Sequence, residues 1–154
     1  MTSALAVANA IIKKVAARES SVSNLKLQKL LYFAQGFHSV TNTDDNLFTD
    51  SIEAWKYGPV VPSVYHKFKI YLAGPIPNNH PFTSSETLSD KKNATVDWVI
   101  DNLGKYTAMQ LSNFSHAQNS PWDKVFNSND SSEIIEVSEL KSYFLKLLVP
   151  KNPT

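Results

Sequence analysis

Four histidines, His38, His66, His80 and His116, are the side chains best suited to acid–base or metal chemistry in this chain, and they stand singly. No two have H-x-x-x-H spacing, none belongs to an H-E-x-x-H helix, and there is no cysteine, so zinc-ligand patterns and thiol catalysis are missing. The four glycines, Gly36, Gly58, Gly74 and Gly104, lie too far apart for a phosphate-cradling loop, and no serine sits in a G-x-S-x-G elbow. Catalysis would need groups assembled only by the fold, such as His66 or His116 with Asp123 or Glu53. The expectation is therefore a protein that is not an enzyme, with no catalytic residue, metal or cofactor.

Recognition is the chemistry the sequence offers instead. The stretch from Glu53 to His66 holds Trp55, Lys56, Tyr57, Gly58, Pro59, Pro62, Tyr65 and His66 within fourteen residues. Gly58 can take a positive φ, Pro59 fixes its own φ, and Pro62 suits the first turn of a helix, so the run reads as strand, sharp turn, helix start. Trp55 and Tyr57, two apart on the expected strand, should share a face. Trp55 reads as a core plug, whereas Lys56, Tyr57, Tyr65, His66 and Lys69 form the candidate partner-binding surface.

These residues must be positioned by helices. Apolar residues at helical spacing predict a first helix from about Ser3 to Glu19 and a second, capped by Ser23, running to about Val40 with Leu27, Leu30 and Leu31 on its buried seam. Gln28, Lys29, Gln35 and His38 flank that seam and read as the outer, solvated half of an amphipathic helix. Further helices are expected over Pro62 to Leu72 and over Leu88 to Leu103, the latter with Gly104 at C′. Others should follow the Thr107 capping box, start at Ser120-Pro121 and run to about Phe126, and begin at Ser138 with Leu140, Tyr143, Phe144, Leu147 and Leu148 facing the core. Gly74 to Pro81, with three prolines, is the long loop, and Asn127 to Ser132 is a breaker. The fold class is mainly α, an α+β arrangement with a minor β element: about six helices, with one or two short strands around Ile52–Tyr57 and Glu133–Val137.

At 154 residues, 42% of them hydrophobic, the sequence is sized for one domain spanning residues 1–154. A net charge of +1 gives no general pull on nucleic acid or an anionic membrane, and Lys13, Lys14, Arg18, Lys26 and Lys29 read as a solvated helix face. The apolar run from Ala4 to Ile12 is followed by its lysines, not preceded by them, so it reads as a helix and not as a leader peptide. No stretch is long and apolar enough to span a bilayer, and a soluble cytoplasmic protein is expected.

The order Asn24-Leu25-Lys26-Leu27-Gln28-Lys29-Leu30-Leu31-Tyr32-Phe33, then Trp55-Lys56-Tyr57-Gly58-Pro59, resembles the Panacea domain of SocA-like antitoxins. A third block, Leu111-Ser112, Ser115-His116 and Pro121-Trp122, is similar to that family's Leu-Ser, Thr-His and Pro-Trp signature, with Ser115 where threonine is usual. The resemblance implies a mostly helical domain, carried on prophages and bacterial chromosomes, that neutralises the toxin encoded beside it. It also implies two modes of action, direct binding of the toxin or its delivery to a AAA+ protease. The signature residues it singles out are Leu27, Leu30, Leu31, Trp55, Gly58, Pro59, His116, Pro121 and Trp122. The loop from Gly74 to Pro81 departs from the family's usual connection, as does Asp44-Asp45, and such loops tune partner choice more readily than fold.

Overall fold

A computed structural model of the chain describes residues 1–127, 129 and 133–148. Its helices are α1 (Ala4–Ala17), α2 (Asn24–Thr41), α3 (Pro62–Phe68), α4 (Asp90–Leu103), α5 (Ala108–Ser115), α6 (Pro121–Val125) and α7 (Val137–Leu148). Three short strands, β1 (Ile52–Trp55), β2 (Gly58–Val60) and β3 (Ile134–Ile135), form an antiparallel sheet in the order β2-β1-β3. The fold is mainly α with a minor β element, as the sequence predicts.

Local chemistry explains most helix starts. Ser3, Ser23, Ser89, Thr107 and Ser120 each accept a hydrogen bond from a first-turn amide, and Gln110 closes the capping box on Thr107. Pro62 and Pro121 occupy first-turn positions, where a missing N–H costs nothing.

α2 is the axis of the molecule, packed by α1, α3, α4, α5, α7 and β2. Leu27, Leu30 and Leu31 are wholly buried, and Gly36 lies against the Phe144 ring of α7 so closely that a Cβ would overlap it. Gly36→Ala should lower stability by about 1–3 kcal/mol, seen as a lower urea midpoint, because the α2–α7 contact must open. Pairing it with Phe144→Leu should recover part of the loss.

Several expectations need correction. The described residues hold seven α-helices, in keeping with the six or so expected, but the strand expected over Ile52–Tyr57 is shorter: β1 stops at Trp55, and Lys56 and Tyr57 form the turn into β2. Pro59 is tolerated in β2 because that strand is an edge. Pro62 to Leu72 divides into α3 and a 3-10 turn over Lys69–Tyr71, and Leu72 takes a φ of 54°. Gly104 is right-handed, with φ −61°, so no left-handed cap ends α4. Within Glu133–Val137 only Ile134–Ile135 is strand, and Val137 opens α7 one residue before the predicted Ser138 cap, its first turn closing on the Glu136 carbonyl. Leu140 and Phe144 are buried, but Leu147 is 59% exposed, while the side chain of Leu148 lies outside the described residues. The predicted breaker falls partly on Ser128, Asp130, Ser131 and Ser132, which are also outside them.

Candidate functional site

The hairpin β1–β2 is held by a clamp of side chains from three helices. Trp122 Nε1–H of α6 donates to the Trp55 carbonyl at 2.6 Å, Ser112 Oγ–H of α5 to the Tyr57 carbonyl at 2.7 Å, and Lys29 Nζ of α2 to the Pro59 carbonyl at 3.0 Å. Alternate carbonyls of the hairpin are thus each satisfied by a different helix. Next along the chain, Val61 N–H donates to Gln28 Oε1, Gln28 Nε2–H to Asn24 Oδ1, and Asn24 Nδ2–H to the Tyr65 carbonyl, which ties the start of α3 to α2.

Gly58 sits where the clamp is tightest. Its φ is +118°, and a Cβ there would lie 2.8 Å from Lys29 Cε, 3.0 Å from Lys29 Nζ and 3.1 Å from Ser115 Oγ. Only a residue without a side chain satisfies both the backbone and the space. Ser115 Oγ–H donates to the Ser112 carbonyl and Ser120 Oγ–H to the Ser115 carbonyl, which fixes the α5–α6 corner. His116 stacks on Trp122 at 3.8 Å, and Trp122 stacks in turn on Phe126 at 4.6 Å.

Burial shifts the titration of the charged groups at the clamp. Lys29 is wholly buried, and desolvation brings its ammonium pKa down to about 7. Burial, reinforced by the nearby Lys29 charge and opposed by Asp123, also lowers the pKa of His116, whose Nε2 is buried with no hydrogen-bond partner among the described residues. Sequence reasoning therefore misassigned the polar side of α2: Gln28, Lys29, Gln35 and His38 are all buried, not a solvated face. Gln35 bonds the backbone of Leu47 and Phe48, while His38 bridges Thr95 of α4 and Asp45. The Thr95–His38–Asp45 chain has the atom types of an acid–base relay, but His38 is wholly buried and Thr95 only 2% exposed, so it serves to staple the 42–50 loop.

The clamp leaves the tip outside. Tyr57 is 68% exposed, and Lys56 lies with Nζ 5.6 Å from its ring centroid. Trp55 is half-buried, not a core plug, because period-two alternation turns Ile52 and Ala54 inward and Glu53 and Trp55 outward. It meets the ring of Tyr65 edge-on at 5.0 Å, with His66 5.4 Å beyond, and donates Nε1–H to Glu53. His66 and Lys69 are exposed, and Tyr65 is half-buried. Of the predicted surface, the structure gathers Tyr65 and His66 around Trp55 and sets Lys56 and Tyr57 on the adjoining turn. Among the described residues neither His66 nor His116 is hydrogen-bonded to a carboxylate, and there is no cluster of three or more histidine and carboxylate groups able to hold a metal.

Fold and site together define a mainly helical domain built around a clamped hairpin. Residues 27–123 match the family of the antitoxin SocA-like Panacea domain, and the chain belongs to that family. Among curated proteins it is 37% identical over 134 residues to Antitoxin SocA of Caulobacter vibrioides (strain NA1000 / CB15N), covering 80% of this chain and 70% of that protein. No solved structure matches significantly. The matched span contains every clamp donor named above, Lys29, Ser112 and Trp122, together with the hairpin they hold.

Proposed function

We propose that this protein is a cytoplasmic antitoxin that neutralises a cognate toxin by direct binding, through the hairpin tip and the exposed side of α3. The observation that carries this reading is the contrast between a 68% exposed Tyr57 and the buried clamp beneath it. An aromatic held out on a rigid turn loses little entropy on docking, which is the property of an anchor residue. Lys56, Tyr57, Tyr65, His66 and Lys69 supply the contact, with Lys67 beside them. Lys56, Lys67 and Lys69 outnumber Glu53, whose carboxylate already accepts the Trp55 Nε1–H, so the complementary toxin surface is acidic with an apolar pocket for Tyr57.

Co-expression with the product of the adjacent gene tests the reading. Growth arrested by that product should resume when the intact antitoxin is present, in strains lacking the major AAA+ proteases as well as in those that have them. Failure of the adjacent reading frames to arrest growth contradicts the antitoxin role. Rescue that disappears in the protease-deficient strain contradicts neutralisation by binding and supports proteolytic delivery.

A further inference from the structure

A cavity of about 240 Å³ opens where the C-terminal ends of α1 and α4 meet the start of α2, and no residue of the hairpin or of α3 lines it. Four apolar side chains form its floor, Val15, Val22, Leu30 and Ile100, each at most 6% exposed. Its rim is charged. Arg18, Lys26 and Lys105 face the single carboxylate of Asp101, with the neutral hydroxyl of Ser20 beside them.

Charge is not balanced within the site. Asp101 is already matched by Arg18, with Nη2 to Oδ1 at 2.7 Å. Among the described residues neither Lys26 nor Lys105 has a carboxylate oxygen within 4.0 Å, and Lys105 Nζ lies instead 5.3 Å from the Tyr106 ring centroid. Lys26 is half-buried, and its Nζ donates to the Gly104 carbonyl at 2.6 Å, which leaves its other N–H groups without an acceptor among the described residues. Burial lowers its pKa, as it does for an ammonium drawn partly out of water with no counter-charge beside it. Acceptors on the wall do not offset this, because the carbonyls of Val15, Val22 and Ile100 already take the amides of Ser20, Ile76 and Gly104. What stays open is a cationic rim over an apolar floor, which suits neither a cation nor a sugar.

We propose that this cavity binds a small apolar carboxylic acid in its ionised form, with its hydrocarbon part on Val15, Val22, Leu30 and Ile100 and its carboxylate between Lys26 and Lys105. The match is one of charge: a single carboxylate supplies the counter-ion that Lys26 lacks, and an alkyl chain covers the floor. Volume sets the size. Pockets for drug-sized ligands run to roughly 300–1,000 Å³, so a smaller cavity takes an acid of about ten non-hydrogen atoms. The site shares none of the residues assigned to the toxin-facing surface, so it stands or falls separately from that assignment.

Octanoate is the probe, titrated into the full chain near neutral pH and followed by amide chemical shifts. It should saturate one site, with the largest shifts at residues 15–30 and 100–105. Octanamide, of the same length and uncharged, should bind at least about tenfold more weakly, as should octanoate to Lys105→Met, a change at an exposed side chain that leaves the fold intact. The Lys26 ammonium, read from its side-chain carbon shifts against pH, should titrate higher with octanoate than alone or with octanamide, a response that purely apolar association does not produce. The octanamide comparison needs no variant at all. Equal affinity for octanamide, undiminished binding by Lys105→Met, no saturable shift at these residues or an unmoved Lys26 titration overturns the proposal. Tighter binding of an acetylated tripeptide ending in a free leucine carboxylate also overturns it, since the site would then take a chain end and not a small acid.

Discussion

Replacing Gly58 by alanine should destabilise the protein by about 2–5 kcal/mol and remove toxin binding together with it. The backbone contribution comes from a φ of +118°, which a side chain tolerates poorly, and the packing contribution from a Cβ that would meet Lys29 and Ser115 at 2.8–3.1 Å. Lys29 cannot retreat freely, since its stem is wholly buried and its Nζ holds the Pro59 carbonyl. The hairpin must shift, and with it the Trp55 and Tyr57 carbonyls lose their fit to Trp122 and Ser112. Gly74→Ala is the control: Gly74 has no positive φ and only the Tyr71 carbonyl, 3.3 Å away, near its Cβ position, so its urea midpoint should barely move. Equal midpoints for the two variants would refute the clamp as the cause.

The second large effect is a dependence of stability on alkaline pH. The Lys29 pKa is about 7 in the folded protein and near 10.5 once the chain unfolds, so between these values the unfolded chain binds the extra proton. Stability therefore rises as pH climbs from 7 towards 10.5, by on the order of 4 kcal/mol, and that gain is lost as pH falls back from 10.5 towards 7, below which both states hold the proton. Lys29→Met should lose most of that rise and keep only the smaller one that comes from Lys26, whose pKa burial also lowers. Near pH 7 the variant trades relief from a buried charge against an unsatisfied Pro59 carbonyl, and its stability should stay close to wild type. At pH 10 it should be clearly the less stable. His116, whose lowered pKa acts below its ordinary value of 6.5, contributes outside this window, and the phenol of Tyr32, held neutral by burial, acts at its upper end. Parallel urea midpoints for wild type and Lys29→Met from pH 7 to 10 would contradict the burial of an ionisable Lys29.

Helix starts were legible because serine, threonine and proline announce them within a few residues: Ser23, Thr107 and Ser120-Pro121 act as read. The hairpin was half legible. Gly58 and Pro59 marked the turn, but a three-residue edge strand containing proline has no periodicity to reveal it. The clamp was invisible because its donors lie on α2, α5 and α6, far apart in sequence, and pairing of that kind is made by the fold. One signal for Lys29 was nevertheless present. From Asn24 to Thr41 the helix carries only two charges, both lysines, and has large apolar residues at Tyr32 and Phe33, away from the leucine seam. A helix apolar on every side is a buried one, so its polar residues must be satisfied internally.

The tip itself could be read as exposed but not as rigid, and the account rests on its rigidity. Isothermal titration of the purified antitoxin with the adjacent gene's product, comparing wild type with Tyr57→Ala and Tyr65→Ala at matched thermal stability, tests this most directly. Tyr57→Ala should weaken binding by about thirtyfold or more, as loss of an interface anchor does, and Tyr65→Ala by less. Unchanged affinity in both variants would contradict the hairpin tip as the toxin-binding surface.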